Sequence, residues 1–116
     1  MIYVEKTLGD IVVVKVTHSE ATIRYAMEFR NTIFDLMSLG KYKIIVDLSE
    51  TTFMDSTFLG VLVFSLKKTT ANGGGISIIR EKADLPIWTM FELTNMIKVF
   101  RIFEESQAAL ASFELK

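Results

Sequence analysis

IIVDLSETTFMDSTFLGVLVFSLKK, residues 44–68, is the segment around which the rest of the chain is arranged. It begins with a β-branched run over residues 44–48, which is typical of a buried strand. After a polar turn and the pair Asp55-Ser56, an apolar run without a turn residue predicts a buried helix over residues 56–70. Ser56 stands at the predicted N-cap, where its hydroxyl would accept a hydrogen bond from a backbone N–H two or three residues later. On this interpretation, Ser56→Ala would remove about 1 kcal/mol of stability.

Strands and helices alternate along the rest of the chain. Residues 2–4 and 11–16 predict a hairpin around Gly9-Asp10, and apolar spacings of three and four predict a helix over residues 23–39, ended by Gly40. The later elements are a strand over 76–79, a helix opened by Asp84 and Pro86, a short strand over 98–102 and a helix over 104–113. This order predicts a single α/β domain over residues 1–116, with a mixed central sheet that is parallel where helices connect the strands.

Composition excludes several classes of protein and site. Half of the 116 residues are hydrophobic and the net charge is −1, so we expect a packed core and no basic patch for nucleic acid. The chain has no cysteine, which excludes disulfides and thiolate metal sites. The first ten residues lack the apolar region of a signal peptide, and the apolar run after Ser56 is shorter than the roughly 20 residues of a membrane span. We therefore expect a cytoplasmic protein without a membrane span.

No constellation of residues predicts an enzyme. His18 is the only histidine, and in its polar loop we expect it to be solvated, so a Ser/His/Asp or Cys/His site cannot be assembled in the usual way. A carboxylate metal site at Asp47 and Asp55 is possible, but nothing in the spacing requires one. The glycine run at 73–75 lies between a helix and a strand and lacks the lysine of a phosphate-binding loop, which predicts a tight turn. We expect no enzymatic activity, no cofactor and no metal.

Two interpretations of Asp55-Ser56 follow from the residues alone. In the first, Ser56 caps the helix and Asp55 interacts favourably with the helix dipole. In the second, Ser56 is phosphorylated: a helix N-terminus tolerates the dianion, whereas a partner docked closely there would meet repulsion and a desolvation penalty. Leu59, Leu62, Val63 and Leu66 are the predicted core face of this helix, and the opposite face is either buried by neighbouring elements or a docking surface. Besides Phe64, that face and the first turn carry Thr57, Phe58, Gly60 and Val61.

VDLSETTFMDSTFLGVLV, residues 46–63, resembles the signature of the STAS domain of bacterial anti-sigma factor antagonists. The matching parts are Asp47-Leu48-Ser49, Phe53-Met54, Asp55-Ser56 and the Leu-Gly-x-Leu run at 59–62. The resemblance implies a STAS-like α/β fold with helices packed mainly on one face of the sheet. It also implies that Ser56 is phosphorylated by the partner, an anti-sigma factor that is itself a serine kinase of the histidine-kinase-like ATPase fold. The unphosphorylated antagonist binds that partner and the sigma factor is released; a metal-dependent serine phosphatase reverses the phosphorylation.

Carried onto this chain, the resemblance implies that Ser56 is the phosphoacceptor and that no residue is catalytic. The residues that would bind the partner are Asp55, Thr57, Phe58, Gly60, Val61 and Glu20. The chain departs from the family pattern in two places: Thr57-Phe58 follows the serine where many members have a small residue and glycine, and Glu20 stands in a loop where an aspartate is usual. Two alternatives remain open, namely a STAS scaffold that is never phosphorylated and a receiver-like domain that is phosphorylated on Asp47 or Asp55.

Overall fold

A mixed five-stranded sheet forms the centre of the computed structural model, which describes residues 1–82 and 84–114. Its strands lie in the order β1-β2-β4-β6-β7, and two further strands, β3 and β5, pair with each other beside it. The strands are β1 (Ile2–Leu8), β2 (Ile11–Val16), β3 (Glu20–Ala21), β4 (Lys43–Asp47), β5 (Phe53–Met54), β6 (Gly75–Ile79) and β7 (Arg101–Phe103). β1 and β2 form an antiparallel hairpin, and every other pairing in the sheet is parallel, as the alternation of strands and helices predicts.

Four helices cover the two faces of the sheet unequally. They are α1 (Ile23–Ser38), α2 (Ser56–Ala71), α3 (Pro86–Leu93) and α4 (Ser106–Glu114). The first three pack on one face, where Phe29, Leu62 and Trp88 join the core, whereas α4 packs alone on the other face through Ala109 and Phe113. The expected α/β class, with helices mainly on one face, is confirmed. Among the described residues, no helix is both long and apolar enough to cross a bilayer.

Alternation along the central strands explains how both faces are filled. Val12, Val14 and Val16 of β2 belong to the core beneath the three helices, and the intervening Ile11 and Val13 belong to the core beneath α4. Because successive side chains of a strand point to opposite faces, a continuous β-branched run fits only a strand that is covered on both sides. The dense apolar runs of β2 and β4 therefore place these strands inside the sheet, and the mostly exposed β1 lies at its edge.

Some predicted boundaries need correction. The first strand extends to Leu8 rather than ending near residue 4, because it pairs with β2 along its whole length. The strand predicted over 98–102 is Arg101–Phe103, since a 3-10 turn over Met96–Lys98 follows Asn95 in the left-handed region (φ 61°). The β3–β5 pair was not predicted at all.

The glycine run after α2 makes the tight turn that was expected. Gly73 has φ +82°, a conformation that other residues adopt only with strain. A Cβ on Gly74 would run into the backbone carbonyl of Tyr42, and the same carbonyl accepts a hydrogen bond from Gly75 N at 2.9 Å. The run therefore lets the chain pass close to the segment before β4 and enter β6 beside it.

Candidate functional site

The site begins where two loops are joined beyond the carboxyl ends of β2 and β4. The β3–β5 pair sets Glu20 beside Phe53 and Ala21 beside Met54. Backbone N–H groups of Thr52 and Phe53 donate to Ser19 O at 2.8 and 3.2 Å, which extends the connection. Because of this pairing, the loop before α1 lies against the segment that leads into α2, and Glu20 and Asp55 are brought to one end of the molecule.

Asp55, not Ser56, caps helix α2. Asp55 Oδ1 accepts a hydrogen bond from Phe58 N at 2.9 Å, and Asp55 Oδ2 accepts one from Ile23 N at 2.7 Å. The prediction that Ser56 is the N-cap is therefore wrong. A single half-buried carboxylate holds the N-termini of α1 and α2 together, and the positive ends of both helix dipoles favour its negative charge.

Ser56 occupies the first position of α2 and is exposed. Its hydroxyl makes no hydrogen bond to any residue that the structure describes. Because the neighbouring Asp55 caps the helix, the Ser56 side chain is not needed to satisfy a backbone N–H of the first turn. The hydroxyl is therefore open to a visiting protein, which is what a phosphoacceptor needs.

Phe58 lies in the core, so its predicted place on a docking surface is wrong. Its side chain is fully buried, and its ring stacks on Phe29 of α1 with centroids 4.7 Å apart. It is the third residue of α2, and its backbone amide donates to the Asp55 carboxylate. Phe58 therefore packs α2 against α1 from within the core, on the side of the helix away from Ser56.

The other predicted contact residues are distributed along the outer side of α2 and the adjoining loop. Thr57, Gly60 and Glu20 are exposed, and Val61 is half-buried against the core. A Cβ added at Gly60 would meet no atom within 4 Å, so packing inside this chain does not require a glycine there. The outer side of the first two turns of α2 is therefore open to a partner.

Three large apolar side chains near Ser56 were missed in the sequence. Ile23 and Met27 of α1 are 70% and 62% exposed, and Phe53 of β5 is 44% exposed. Each lies in a segment joined to the start of α2, either through the Asp55 carboxylate or directly along the chain. The signal for the first two was present, because apolar residues at 23 and 27 share a helical face that the core stripe does not use. Exposed apolar residues grouped around one polar group are typical of a protein interface.

Asp47 has a structural role at the end of β4. Its Oδ2 accepts from Lys15 Nζ at 3.1 Å and its Oδ1 from Ser49 N at 2.9 Å, and Lys15 Nζ also lies 3.2 Å from Glu50 Oε2. Burial lowers the pKa of the Lys15 ammonium, but hydrogen bonds to Asp47 and Glu50 outweigh burial and raise this pKa above its ordinary value of 10.5. The Asp-Leu-Ser part of the signature therefore stabilises the turn that delivers the chain to β5 and α2.

His18 is held in the structure rather than freely solvated, so that expectation is wrong. Its ring stacks on Tyr25 with centroids 3.5 Å apart, and its Nε2 lies 3.8 Å from Glu28 Oε1. Within residues 1–82 and 84–114, no three His, Asp or Glu side chains gather as a protein metal site would require. The site is therefore one of exposed hydroxyls and apolar side chains on a rigid support.

Comparisons with known proteins show similarity along nearly the whole chain. The family model of the STAS domain matches residues 4–109. A Thermotoga maritima protein provisionally named an anti-sigma factor antagonist is 29% identical over 110 residues, which cover 92% of this chain and 94% of that protein. The crystal structure of an anti-sigma factor antagonist, also provisionally named, from Thermotoga maritima superposes with a TM-score of 0.80 at 26% identity, covering 94% of this chain and 92% of that one.

A more distant structure shares the fold alone. The phosphorylated form of SpoIIAA, a cell fate determinant of Bacillus, superposes with a TM-score of 0.70 at 17% identity, covering 93% of this chain and 96% of that one. The family model spans nearly the whole chain and includes every residue of the loops and helix start described above. The chain therefore belongs to the STAS domain family.

Proposed function

We propose that this chain is an anti-sigma factor antagonist whose binding to its partner is switched by phosphorylation of Ser56. The names of its Thermotoga relatives support the general role. The observation that carries the switch is the exposed, unbonded hydroxyl of Ser56 at the start of α2, beside exposed Ile23 and Phe53. Ile23 is joined to the start of α2 through the Asp55 carboxylate, and Phe53 lies three residues before Ser56, so a partner that docks at this end of the molecule would approach the hydroxyl.

The expected effect of phosphate follows from the charges at this place. A phosphoserine carries close to two negative charges, and the free N–H groups of the first turn of α2 stabilise an anion there. The fold should therefore keep its stability. A docked partner would have to desolvate the dianion next to the Asp55 carboxylate, which disfavours binding.

The partner that fits this scheme is an anti-sigma factor that is also a serine kinase of the histidine-kinase-like ATPase fold. It binds the unphosphorylated chain and releases its sigma factor. It also transfers the γ-phosphoryl group of ATP to Ser56 Oγ; the hydroxyl proton is lost and ADP leaves. A metal-dependent serine phosphatase restores the hydroxyl by hydrolysis. In this cycle the chain is a substrate and a binding module, not an enzyme, and it contacts no nucleic acid.

We assign the contact surface to Thr57, Gly60, Val61 and Glu20, with Ile23 and Phe53 added. Asp55 contributes by holding the two helix starts in place, since both of its oxygens are already engaged by backbone amides. Phe58 contributes only from the core. Thr57 offers a second exposed hydroxyl beside the first, so the site of phosphorylation must be located by residue.

The same geometry argues against a receiver-like function. Asp47 is only 9% exposed and is paired with Lys15, and Asp55 is engaged by two amides. A phosphoryl group on either carboxylate would have to displace these contacts.

Two matched experiments test the proposal. Incubation of the chain and of its Ser56→Ala and Thr57→Ala variants with ATP and an extract of the native cells, followed by mass spectrometry, should show acid-stable phosphate on Ser56 in the chain and in Thr57→Ala. Capture with immobilised chain and with Ser56→Asp should enrich an ATPase of the expected fold only on the former. No phosphate on Ser56, with the ATPase bound equally to both, would favour the non-phosphorylated scaffold, and an acid-labile phosphate would favour the receiver alternative.

A further inference from the structure

The outer edge of β1 is long and exposed. β1 is the first strand of the sheet order and runs for seven residues, and no other described strand pairs with its outer side. Three of its large side chains, Tyr3, Val4 and Leu8, are 38%, 42% and 44% exposed. An edge of this length with apolar side chains is a template for pairing with another strand.

A bulge near the middle of β1 changes which residues share a face. Val4 is opposite Val14 of β2 and Lys6 is opposite Val13, so Glu5 is the extra residue. In a regular strand, residues three or five positions apart point to opposite faces. Across the bulge, residues three or five positions apart point to the same face. Val4 and Thr7 are opposite Val14 and Val12 of β2, so both lie on the face covered by the three helices.

Because of the bulge, the side chains of Tyr3 and Leu8, near the two ends of β1, also lie on one face of the sheet. Tyr3 is opposite Lys15 and Leu8 is opposite Ile11, both odd-numbered residues of β2, so both side chains lie on the face of α4. The backbone N–H and C=O groups of successive residues also point alternately to the two sides of a strand. Because Tyr3 and Leu8 are opposite odd-numbered residues of β2, their backbone groups point to the same side of β1. Such equivalence is what a symmetric antiparallel pairing of two β1 strands requires.

We propose that two copies of this chain associate through antiparallel pairing of their β1 strands, which joins the two sheets into one of ten strands. In this register, Tyr3 of one copy lies opposite Leu8 of the other, Val4 opposite Thr7, and Glu5 opposite Lys6. Each pair occurs twice because the interface is isologous.

Charge complementarity selects a second copy as the occupant of this edge. The two charged residues at the centre of the strand are adjacent and opposite in sign, so a two-fold axis between them pairs each acid with a base. Aromatic Tyr3 meets apolar Leu8, and two β-branched residues meet each other, which are favourable cross-strand pairs. None of these residues belongs to the Ser56 site, so the inference is independent of the proposed function.

Charge reversal tests the pairing directly. Sedimentation equilibrium at low salt should show a monomer–dimer equilibrium for the chain, and Glu5→Lys and Lys6→Glu should each weaken dimerisation by about tenfold, because two attractive pairs become two repulsive ones. The double variant, in which the charges are exchanged, should restore the original dissociation constant. Glu81→Lys, at an exposed position away from the edge, is the matched control, and circular dichroism checks that each variant is folded.

Disulfide trapping tests the register. The chain has no cysteine, so Val4→Cys and Thr7→Cys chains can be oxidised singly or mixed without background. The mixture should form a covalent dimer, and each variant alone should form much less, since Val4 and Thr7 face one another and neither faces itself. A chain that stays monomeric at its highest soluble concentration, or a dimer indifferent to the charge reversals and the cysteine positions, would overturn the proposal.

Discussion

Replacement of Asp55 should destabilise the protein far more than replacement of Ser56, although both stand at the start of the same helix. Asp55→Ala removes the N-cap of α2, which is worth about 1 kcal/mol, and the charged hydrogen bond to Ile23 N at 2.7 Å. The second loss is worth about 1.5 kcal/mol, at the low end for a charged hydrogen bond because water can reach the freed amide. We therefore expect the free energy of unfolding to fall by about 2.5 kcal/mol.

Two variants serve as controls in the same urea denaturation series. Asp55→Asn keeps one acceptor oxygen but turns an amide NH₂ toward the other backbone donor, so about half of the loss should remain. Ser56→Ala should change the free energy of unfolding by less than about 0.5 kcal/mol, as for other exposed positions without a partner. If Ser56→Ala costs as much as Asp55→Ala, the serine is the cap and the assignment of the site geometry is refuted.

Three further predictions concern residues that support the site. Phe58→Ala should lower the free energy of unfolding by about 3–5 kcal/mol, because it empties a fully buried position; a loss below about 1 kcal/mol would show that the ring is exposed. Lys15→Met should cost about 3 kcal/mol at neutral pH by leaving buried Asp47 unpaired. Because ion pairing raises the pKa of Lys15 in the folded state, despite the opposing effect of burial, its contribution is complete below pH 10.5 and is lost as the pH rises through the folded value, so the two proteins should converge in alkaline urea titrations. Gly60→Ala should raise helix stability by about 0.5–1 kcal/mol, whereas Gly74→Ala should destabilise because its Cβ meets a backbone carbonyl; equal thermal midpoints for the two would contradict this difference.

Most of the fold was predicted from the spacing of apolar residues along the chain. The apolar stripe of α1 predicted the buried Ala26, Phe29, Ile33 and Leu36, and the β-branched runs predicted the strands at the centre of the sheet. These signals extend over several residues, so an error at one position changes little. The two-residue strands β3 and β5 have no period to detect, since their pairing depends on which loops the tertiary fold brings together.

The sequence predicted the segment that forms the site correctly, but it assigned the N-cap and the position of Phe58 wrongly. Asp55 and Ser56 are adjacent and both residue types are good caps, so only the position of the first helical residue separates them. Phe58 was misplaced because α2 is apolar on most sides, which leaves the sequence without a clear inward face. The spacing of Ile23 and Met27 already indicated an outer face of α1, whereas Phe53 was assigned to the same end of the molecule only through the β3–β5 pairing.

Isothermal titration calorimetry is the sharpest test of the proposal that the group at Ser56 Oγ decides whether a partner docks. The dissociation constant for the ATPase partner should be measured for the unphosphorylated chain and for the same chain phosphorylated on Ser56, with the free energy of unfolding of both forms as a control. We expect at least about thirtyfold weaker binding after phosphorylation, with stability changed by less than about 1 kcal/mol. Equal dissociation constants for the two forms would contradict it.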